Sequence, residues 1–220
     1  MLITNVMAVS VDGRIASHAN ESDSERLALG FTNGDDFNHL LGLLKATDAV
    51  IVGSSSLKAS GRAFSCLNDR GVYPIWAVLT NRGLPAEQPF YQQAELTRWL
   101  VSPQPLQLPH YSGVLRNIVS GDLSSAQATV AALSAAGVER VLLFGGASVN
   151  REFYSADLVN RLIVTICPLV LARSDAIPLI QPDLPSPIYL RLASSQVMGN
   201  LVILSYDLMK RATHGLTRPD

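Results

Sequence analysis

Apolar residues occur in short blocks along the chain, and most of these blocks have the length of a β-strand. Residues 2–9 form a continuous apolar run, which is typical of a strand covered on both faces. The segment 32–45 begins with polar capping residues and then repeats apolar residues at helical spacing, so it predicts a helix. A second helix is predicted over residues 124–136, between a serine cap and Gly137. Further strands are predicted at residues 49–52, 75–79, 96–101, 162–167, 189–194 and 201–206.

The order of these elements predicts an α/β fold. Strands alternate with helices through most of the chain, which favours parallel pairing, whereas Gly199 and Asn200 separate the last two strands as a β-hairpin turn would. We therefore expect a single three-layer domain over residues 1–211, with a mixed, mostly parallel sheet flanked by helices and an antiparallel hairpin at its C-terminal end. Residues 212–220 are expected to form a flexible tail, and the proline-rich segments 103–109 and 178–187 are expected to be surface loops.

The most informative segment is RVLLFGGASVNREF, residues 140–153, in which an apolar strand leads directly into two glycines and a new helix. Glycines have no Cβ, so the backbone can adopt positive φ and a ligand can approach it closely. The first N–H groups of the helix would lie free beside them, where the helix dipole favours an anion. The alternative is a tight turn without a ligand. The residues of this predicted phosphate-binding turn are Gly145, Gly146, Ala147, Ser148 and Val149.

Two other strand ends carry groups that bind phosphate. The segment DAVIVGSSS ends a strand in a glycine and three hydroxyl groups, and ligands of α/β sheets bind beyond the carboxyl ends of strands. The segment AVLTNRG ends the next strand, and its arginine could hold the 2′-phosphate of NADP. The alternatives are a serine-rich helix cap and an exposed loop arginine. With the two glycines, these strand ends offer what a dinucleotide needs; the residues are Gly53, Ser54, Ser55, Ser56, Thr80 and Arg82.

Composition narrows the classes of partner. The 220 residues are 48% apolar, enough for one large core, and the net charge of −1 gives no general attraction for nucleic acid or an anionic membrane. Cys66 and Cys167 lie far apart, without a CxxC motif or a histidine cluster that would indicate a zinc site. No apolar run reaches the roughly 20 residues of a membrane span, and the N-terminal run lacks the basic flank of a signal peptide. We expect a small-molecule partner, no metal and a cytoplasmic location.

Four segments together resemble one known family. They are NVMAVSVDGRIA (5–16), DAVIVGSSSLKASG (48–61), VLLFGGASVN (141–150) and LVNRLIVTICPLVL (158–171), and they keep a consistent order and spacing over nearly the whole chain. The chain resembles the pyrimidine reductase family, the reductase half of the bacterial riboflavin-pathway deaminase-reductase, which has a dihydrofolate-reductase-like fold. The resemblance implies NADPH-dependent reduction of a ribosylamino-pyrimidine phosphate, of the 5-amino-6-(5-phosphoribosylamino)uracil type, that opens the ribose to a ribityl chain.

The resemblance also implies roles for individual residues. Gly53 and Ser56 match the cofactor loop after a strand, and residues 145–149 match the pyrophosphate turn. Asp12 and Gly13 match an Asp-Gly pair beside the active-site cleft, which makes Asp12 the candidate proton donor. The alternative for Asp12 is that it only forms the turn, and the alternative for an arginine in a loop is exposure to solvent. The implied substrate contacts are Asn5, Ser10 and Arg62.

Several positions depart from the family pattern. Phe144 stands where many members have a glutamate, Ser60 where they often have an aspartate, and Asn160-Arg161 where Asp-Glu is common. Residues 20–31 are longer and more apolar than the usual equivalent, and the HxE and PCxxC motifs of zinc deaminases are missing from the sequence. Two alternatives therefore stay open: an NADPH reductase of the same fold acting on another small substrate, and a catalytically silent nucleotide-binding protein.

Two further expectations concern the surface. A homodimer is expected, because the family resemblance implies pairing through the sheet and because residues 162–167 and 201–204 offer more apolar surface than one helical layer covers. The four histidines show no spacing with carboxylates, and His39 is interpreted as a helix-surface residue.

Overall fold

The computed structural model describes residues 1–31 and 33–209. The strands found there are β1 (Leu2–Ser10), β2 (Arg14–Ala16), β3 (Ala49–Gly53), β4 (Ile75–Leu79), β5 (Arg98–Ser102), β6 (Leu115–Val119), β7 (Arg140–Gly145), β8 (Arg161–Cys167), β9 (Ile177–Pro178), β10 (Leu190–Met198) and β11 (Leu201–Leu208). The helices found there are α1 (Asp23–Leu29), α2 (Gly34–Lys45), α3 (Ser54–Ser60), α4 (Ser125–Ala135) and α5 (Ala147–Ser155), with a short 3-10 helix at Pro89–Gln92.

Nine strands form one sheet, in the order β10-β11-β8-β1-β7-β3-β4-β5-β6, and β2 and β9 form a separate small sheet. The strands from β8 across to β6 are parallel to their neighbours. β11 runs antiparallel to β8, and β10 runs antiparallel to β11 through a turn in which Gly199 has a φ of 56°. The predicted mixed, mostly parallel sheet with a C-terminal antiparallel hairpin is confirmed.

Alternate residues of the central strands point to opposite faces of the sheet, and each face has its own core. Ala49 and Ile51 of β3 pack in the same cluster as buried residues of α4 and α5. Val50 and Val52 pack instead with Leu44 of α2 and neighbouring residues of α3. The sheet therefore lies between two helical layers, which is the predicted three-layer arrangement.

The differences from the predicted elements lie at edges and in short segments. Strand β6 was not predicted. Among the described strands it pairs only with β5, and its pattern of buried and exposed residues is irregular, which leaves a weak sequence signal. Helix α1 was also missed, although Ser22 and Glu25 form a capping box at its start and Gly30 ends it. Asn33 caps α2. Thr32, at the predicted start of that helix, and the predicted tail at 212–220 lie outside the described residues.

The apolar surface expected to form a dimer is already covered within one chain. Leu162, Val164 and Ile203 are each no more than 8% exposed, and Leu162 and Val164 pack in one cluster with Met7 and Val9 of β1. The sequence reveals that these residues are apolar but not which face of the hairpin the helices cover. The exposed apolar side chains of this region are instead Leu192 and Val197 on the edge strand β10.

Among the described residues, none of the helices has both the length and the apolar content needed to cross a membrane.

Candidate active site

A cavity of about 590 Å³ opens at the carboxyl ends of the central parallel strands. Val52 at the end of β3, Phe144 near the end of β7 and Thr165 in the second half of β8 all line it. Ligands in α/β sheets bind at this edge because the strands end there and the following loops and helices can surround them. The cavity has two ends of different chemistry, one formed by backbone groups at the starts of helices and the other by acidic and basic side chains.

The two glycines after β7 form the first end. Gly145 and Gly146 have φ values of 68° and 70°, as predicted, and Gly146 is the N-cap of α5. Gly146, Ala147 and Ser148 line the cavity. The N–H groups of the first three residues of α5 have no carbonyl partner within the helix, and Gly146 supplies no side-chain cap for them. This is the arrangement in which a helix start binds an anion.

A side chain at either glycine would fill different space. A Cβ on Gly146 would lie 3.4 Å from the Ser56 hydroxyl, which is its nearest neighbour. A Cβ on Gly145 would lie 2.3 Å from Oδ1 of Asn150, a side chain that is completely buried. Gly145 is therefore required by the packing behind the turn, whereas Gly146 keeps the cavity open where an anion would lie against the backbone.

The serine segment after β3 is a helix start, and only part of it reaches the cavity. Ser54 begins α3, while Ser55 and Ser56 line the cavity. Gly53 does not line it; a Cβ there would lie 3.0 Å from Cγ2 of Val149, so Gly53 and Val149 are where β3 and α5 pack closely. The sequence pattern identified the junction but did not separate ligand-facing residues from packing residues.

The third strand end lies outside the cavity. Thr80 is buried, and its hydroxyl donates a hydrogen bond to the Gly83 carbonyl at 2.9 Å, so it shapes the turn after β4. Arg82 is exposed. It lies at the same edge of the sheet as the serine segment, because Leu79 at the end of β4 pairs with Gly53 at the end of β3. Neither Thr80 nor Arg82 lines the cavity.

The structure does not support Asp12 as a proton donor. Its carboxylate accepts hydrogen bonds from the Ser10 hydroxyl at 2.6 Å and from the backbone N–H groups of Leu171 and Ala172. The Ser10 hydroxyl, followed by these backbone groups, lowers the pKa of Asp12 to about 2, so the carboxylate holds no proton at neutral pH. Asp12 is not among the residues that line the cavity. It ties the loop after β1 to the loop after β8.

Two of the three expected substrate contacts are structural residues. Asn5 is fully buried, donates to the Leu143 carbonyl at 2.8 Å and accepts from the Tyr154 hydroxyl at 3.1 Å. Ser10 is 1% exposed and is occupied by Asp12 and by the N–H of Arg14. Both belong to the well-matched segment of β1, but they hold the strand in place instead of facing the cavity.

Arg62 does line the cavity and is exposed at its mouth. It forms no ion pair with any acid in the described part of the chain, so its guanidinium is available to an anionic group of a ligand. Nearby, the Ser60 hydroxyl donates to the Asp23 carboxylate at 3.1 Å. An acid from α1 therefore reaches the position where the family pattern has an aspartate and this chain has Ser60.

Aromatic side chains form one wall of the cavity. Phe144 lies edge-on to Trp76 with ring centroids 5.9 Å apart, and Phe64 lies 6.3 Å from Trp76 on the other side. All three line the cavity. The indole N–H of Trp76 is shielded from solvent and has no acceptor among the described residues. Phe144 thus replaces the charge of a glutamate with an apolar surface suited to a flat ring.

The acidic and basic end of the cavity was not predicted. Asp36 and His39, both on α2, line it, and Asp36 is only 9% exposed. Burial raises the pKa of Asp36, and a hydrogen bond from Thr165 and the charges of His39 and Arg26 offset part of that effect. His39, interpreted as a helix-surface residue, is half-buried and lines the cavity. A signal was present: residues 36, 40 and 44 are spaced by one helical turn, which places Asp36 on the buried stripe of α2.

A partly buried ion pair supports this end of the cavity. Arg26 donates to the Glu21 carboxylate at 3.1 Å and to the Ile15 carbonyl at 2.5 Å. Glu21 also accepts from the Ser17 N–H at 2.9 Å. These contacts hold α1 and the loop before it over the cavity. Within residues 1–31 and 33–209, no group of three or more His, Cys, Asp or Glu side chains is arranged to hold a metal ion.

One family model and several solved structures match this chain over most of its length. The model of the RibD C-terminal domain matches residues 2–204. A pyrimidine reductase-like protein from Corynebacterium diphtheriae is similar in structure, with 17% identity, a TM-score of 0.76 and coverage of 95% of this chain and 92% of that one. A diaminohydroxyphosphoribosylaminopyrimidine deaminase/5-amino-6-(5-phosphoribosylamino)uracil reductase from Thermotoga maritima has 15% identity and a TM-score of 0.74, with coverage of 94% of this chain and 56% of that one.

A more distant likeness supports the fold class. Dihydrofolate reductase from Enterococcus faecalis, in a complex with NADP(H), has 12% identity and a TM-score of 0.53, with coverage of 95% of this chain and 97% of that one. No curated protein matches the sequence. The fold is thus dihydrofolate-reductase-like, and the family model covers nearly all of it. The chain belongs to the RibD C-terminal domain family, a family of reductases.

Proposed function

We propose that the chain is an NADPH-dependent reductase of a ribosylamino-pyrimidine phosphate, of the 5-amino-6-(5-phosphoribosylamino)uracil type, in riboflavin biosynthesis. Membership of the RibD C-terminal domain family supports the reaction class. The observation that carries the cofactor assignment is the turn at Gly145 and Gly146, where a cavity meets the free N–H groups of α5. A bound reduced nicotinamide dinucleotide would supply the hydride.

The residues present fit such a cofactor. The missing Cβ of Gly146 lets a pyrophosphate approach the backbone, and the N–H groups of Ala147 and Ser148 would donate to it. Ser55 and Ser56, at the start of α3, line the same cavity, and the Ser56 hydroxyl lies close to Gly146. Two helix starts thus converge on one place, which favours negative charge there.

The substrate assignment draws on the rest of the cavity. The aromatic wall of Phe64, Trp76 and Phe144 suits a planar ring. Arg62, which forms no ion pair with an acid in the described part of the chain, could bind a phosphate of the substrate. Phe144 also supports the second candidate, a reductase of the same fold acting on another small substrate, because the cavity lacks a carboxylate at that position. An assay with the ribosylamino-pyrimidine phosphate, in which turnover is measured by the loss of NADPH absorbance, distinguishes the two candidate functions. A protein that binds NADPH but turns over no pyrimidine would instead favour the catalytically silent alternative.

The cofactor site is tested with Gly146→Val. The new side chain occupies the volume of the pyrophosphate, so NADPH binding measured by titration calorimetry should be lost. Because Gly146 has positive φ, the variant is strained as well, by about 1–3 kcal/mol. Gly137→Val is the matched control, since Gly137 has a φ of 75° and open space around it at the end of α4. We expect this control to bind NADPH normally.

Both variants are first checked for a cooperative melt and a parental near-UV circular dichroism spectrum. A folded Gly146→Val protein that binds NADPH with parental affinity would mean that the glycines only shape the turn.

We also propose a cytoplasmic homodimer that has a small molecule, and neither nucleic acid nor membrane, as its partner. Leu192 and Val197 on the edge strand β10 are 54% and 74% exposed and give a second copy an apolar surface to cover. Light scattering at micromolar concentration tests this, and a monomer only would contradict it.

A further inference from the structure

Reduction of a C=N or C=O group needs a proton as well as a hydride, and the structure narrows the source of that proton. Three carboxylates line the cavity in the described part of the chain: Glu21, Asp23 and Asp36. The oxygens of Glu21 are engaged by Arg26 and by the Ser17 N–H. Asp23 is exposed to solvent and accepts from Ser60. Glu21 and Asp36 are the two buried carboxylates, and of these two Asp36 forms no ion pair with another described residue.

The surroundings of Asp36 favour its protonated form. From α1 it faces Arg26, from its own helix His39, and from β8 Thr165 and Cys167. Burial is the largest influence, and it raises the pKa of the carboxyl; the other groups reduce this effect without reversing it. Nε2 of His39 is shielded from solvent and has no hydrogen-bond partner among the described residues. A polar atom left without a partner beside a cavity indicates that a ligand or water meets it there.

We propose that Asp36 is the catalytic residue that contacts the substrate and donates the proton which accompanies hydride transfer. This inference rests on the proposed reductase function. Asp36 stands on the first turn of α2, which the Asn33 cap holds by accepting the Asp36 N–H at 2.9 Å. The helix cap therefore holds the backbone of Asp36 in place, at a position where the residue lines the cavity.

In the proposed step, a hydride goes to carbon and a proton goes to nitrogen or oxygen. The hydride that the reduced nicotinamide supplies adds to the carbon of the substrate C=N or C=O bond, and the π electrons move to the nitrogen or oxygen. The O–H bond of Asp36 breaks, and its proton goes to that nitrogen or oxygen. Asp36 is left as a carboxylate, and it regains a proton from water after the product leaves. General acid catalysis of this kind contributes about 10²- to 10⁴-fold in rate.

The first test requires neither cofactor nor substrate. The carboxyl carbons of aspartate are labelled with carbon-13, and the Asp36 signal is assigned by its loss in Asp36→Asn. We expect Asp36 to titrate above the ordinary aspartate pKa value of 3.8. His39→Gln should move the Asp36 titration to still higher pH, because a nearby positive charge is lost. Titration of Asp36 at or below the ordinary aspartate pKa value of 3.8 would overturn the proposal, whatever the substrate proves to be.

The second test uses turnover. Asp36→Asn keeps the size and polarity of the side chain but carries no acidic proton, so kcat should fall by about 10²- to 10⁴-fold while NADPH affinity stays parental. Asp35→Asn is the matched control and should keep the parental kcat. In the parent, kcat should fall as pH rises through the pKa of Asp36, and in His39→Gln this fall should occur at higher pH. Parental turnover by a folded Asp36→Asn would overturn the proposal.

These outcomes are separate from failure of the proposed function. If the parent does not bind NADPH, the cofactor assignment is wrong. If it binds NADPH and Asp36→Asn alone loses turnover, both proposals stand together.

Discussion

The packing behind the glycine turn leads to a double-mutant prediction. Asn150 is fully buried; its Oδ1 accepts from Asn5 at 3.1 Å, and its Nδ2 donates to the Leu179 carbonyl at 2.8 Å. Asn150→Ala removes both bonds and leaves one buried N–H of Asn5 without a partner, although Asn5 keeps its bond to Leu143. Each net bond is worth about 0.5–1.5 kcal/mol and an orphaned buried group costs about 1–3 kcal/mol, so we expect a loss of roughly 2–4 kcal/mol.

Gly145→Ala should be destabilised for a related reason. The new Cβ would lie 2.3 Å from Oδ1 of Asn150, and the residue would also be strained at a φ of 68°. Asn150→Ala removes that obstacle but not the backbone strain. The loss in the double variant should therefore be smaller than the sum of the two single losses, by about 0.5–3 kcal/mol.

Chemical denaturation of the parent, both single variants and the double variant measures this coupling. Asn150→Ala alone should lower the Tm by about 5–15 °C, since 1 kcal/mol shifts a chain of this size by roughly 2–4 °C. Asn38→Ala, an exposed asparagine on α2, is the matched control and should stay within about 0.5 kcal/mol of the parent. Additive losses in the double variant would refute the argument, because the two side chains would then not compete for the same space.

Three further predictions use other parts of the chain. Arg98 is fully buried, and it donates from Nη1 to the Phe90 carbonyl at 2.6 Å and from Nη2 to the Ser112 carbonyl. Arg98→Lys should therefore lower the free energy of unfolding in urea by about 1–3 kcal/mol. Arg116→Lys, at an exposed position, should leave it unchanged. The folded-state pKa of Asp12 is lowered from 3.8 to about 2, so the stabilising effect of this carboxylate is present above pH 3.8 and lost as pH falls through 2. Asp12→Asn should therefore flatten the pH dependence of the Tm in that window. An unchanged profile would contradict the lowered pKa. If Arg82 meets the 2′-phosphate, the parent should bind NADPH more tightly than NADH and Arg82→Ala should narrow that preference by roughly 1–3 kcal/mol in calorimetry; equal affinities in the parent would remove its basis.

Much of the fold could be predicted because central strands and long helices carry strong local signals. The run at residues 2–9 became β1, and the serine cap and Gly137 bracket α4 closely. The short helix α1 has a capping box but no buried residue, so it lacks the apolar stripe from which a helix is recognised. Strand β6 is an edge strand whose side chain Asn117 bonds back to β5, a contact that no local pattern records.

The cofactor end of the cavity was predictable in part for a different reason. Glycines at positive φ before a helix start are a backbone feature, and backbone features are written in consecutive residues. Gly145 and Gly146 were found in this way. The same reasoning could not separate Gly146, which faces the cavity, from Gly53, which packs on Val149, because that difference depends on two elements far apart in sequence.

The substrate end resists sequence reasoning because its groups converge only through strand order. β8 lies beside β1 although more than a hundred residues separate them in sequence, and this pairing brings Thr165 close to Asp36 on α2. Asp12, by contrast, stands in a conspicuous Asp-Gly turn, yet its three hydrogen bonds keep its carboxylate ionised. A carboxyl that is easy to recognise in a turn is well solvated and well bonded, and so it is a poor proton donor. The acid suited to the chemistry is instead the one interrupting an apolar helical stripe, since burial there both hides it among core positions and favours its protonated form.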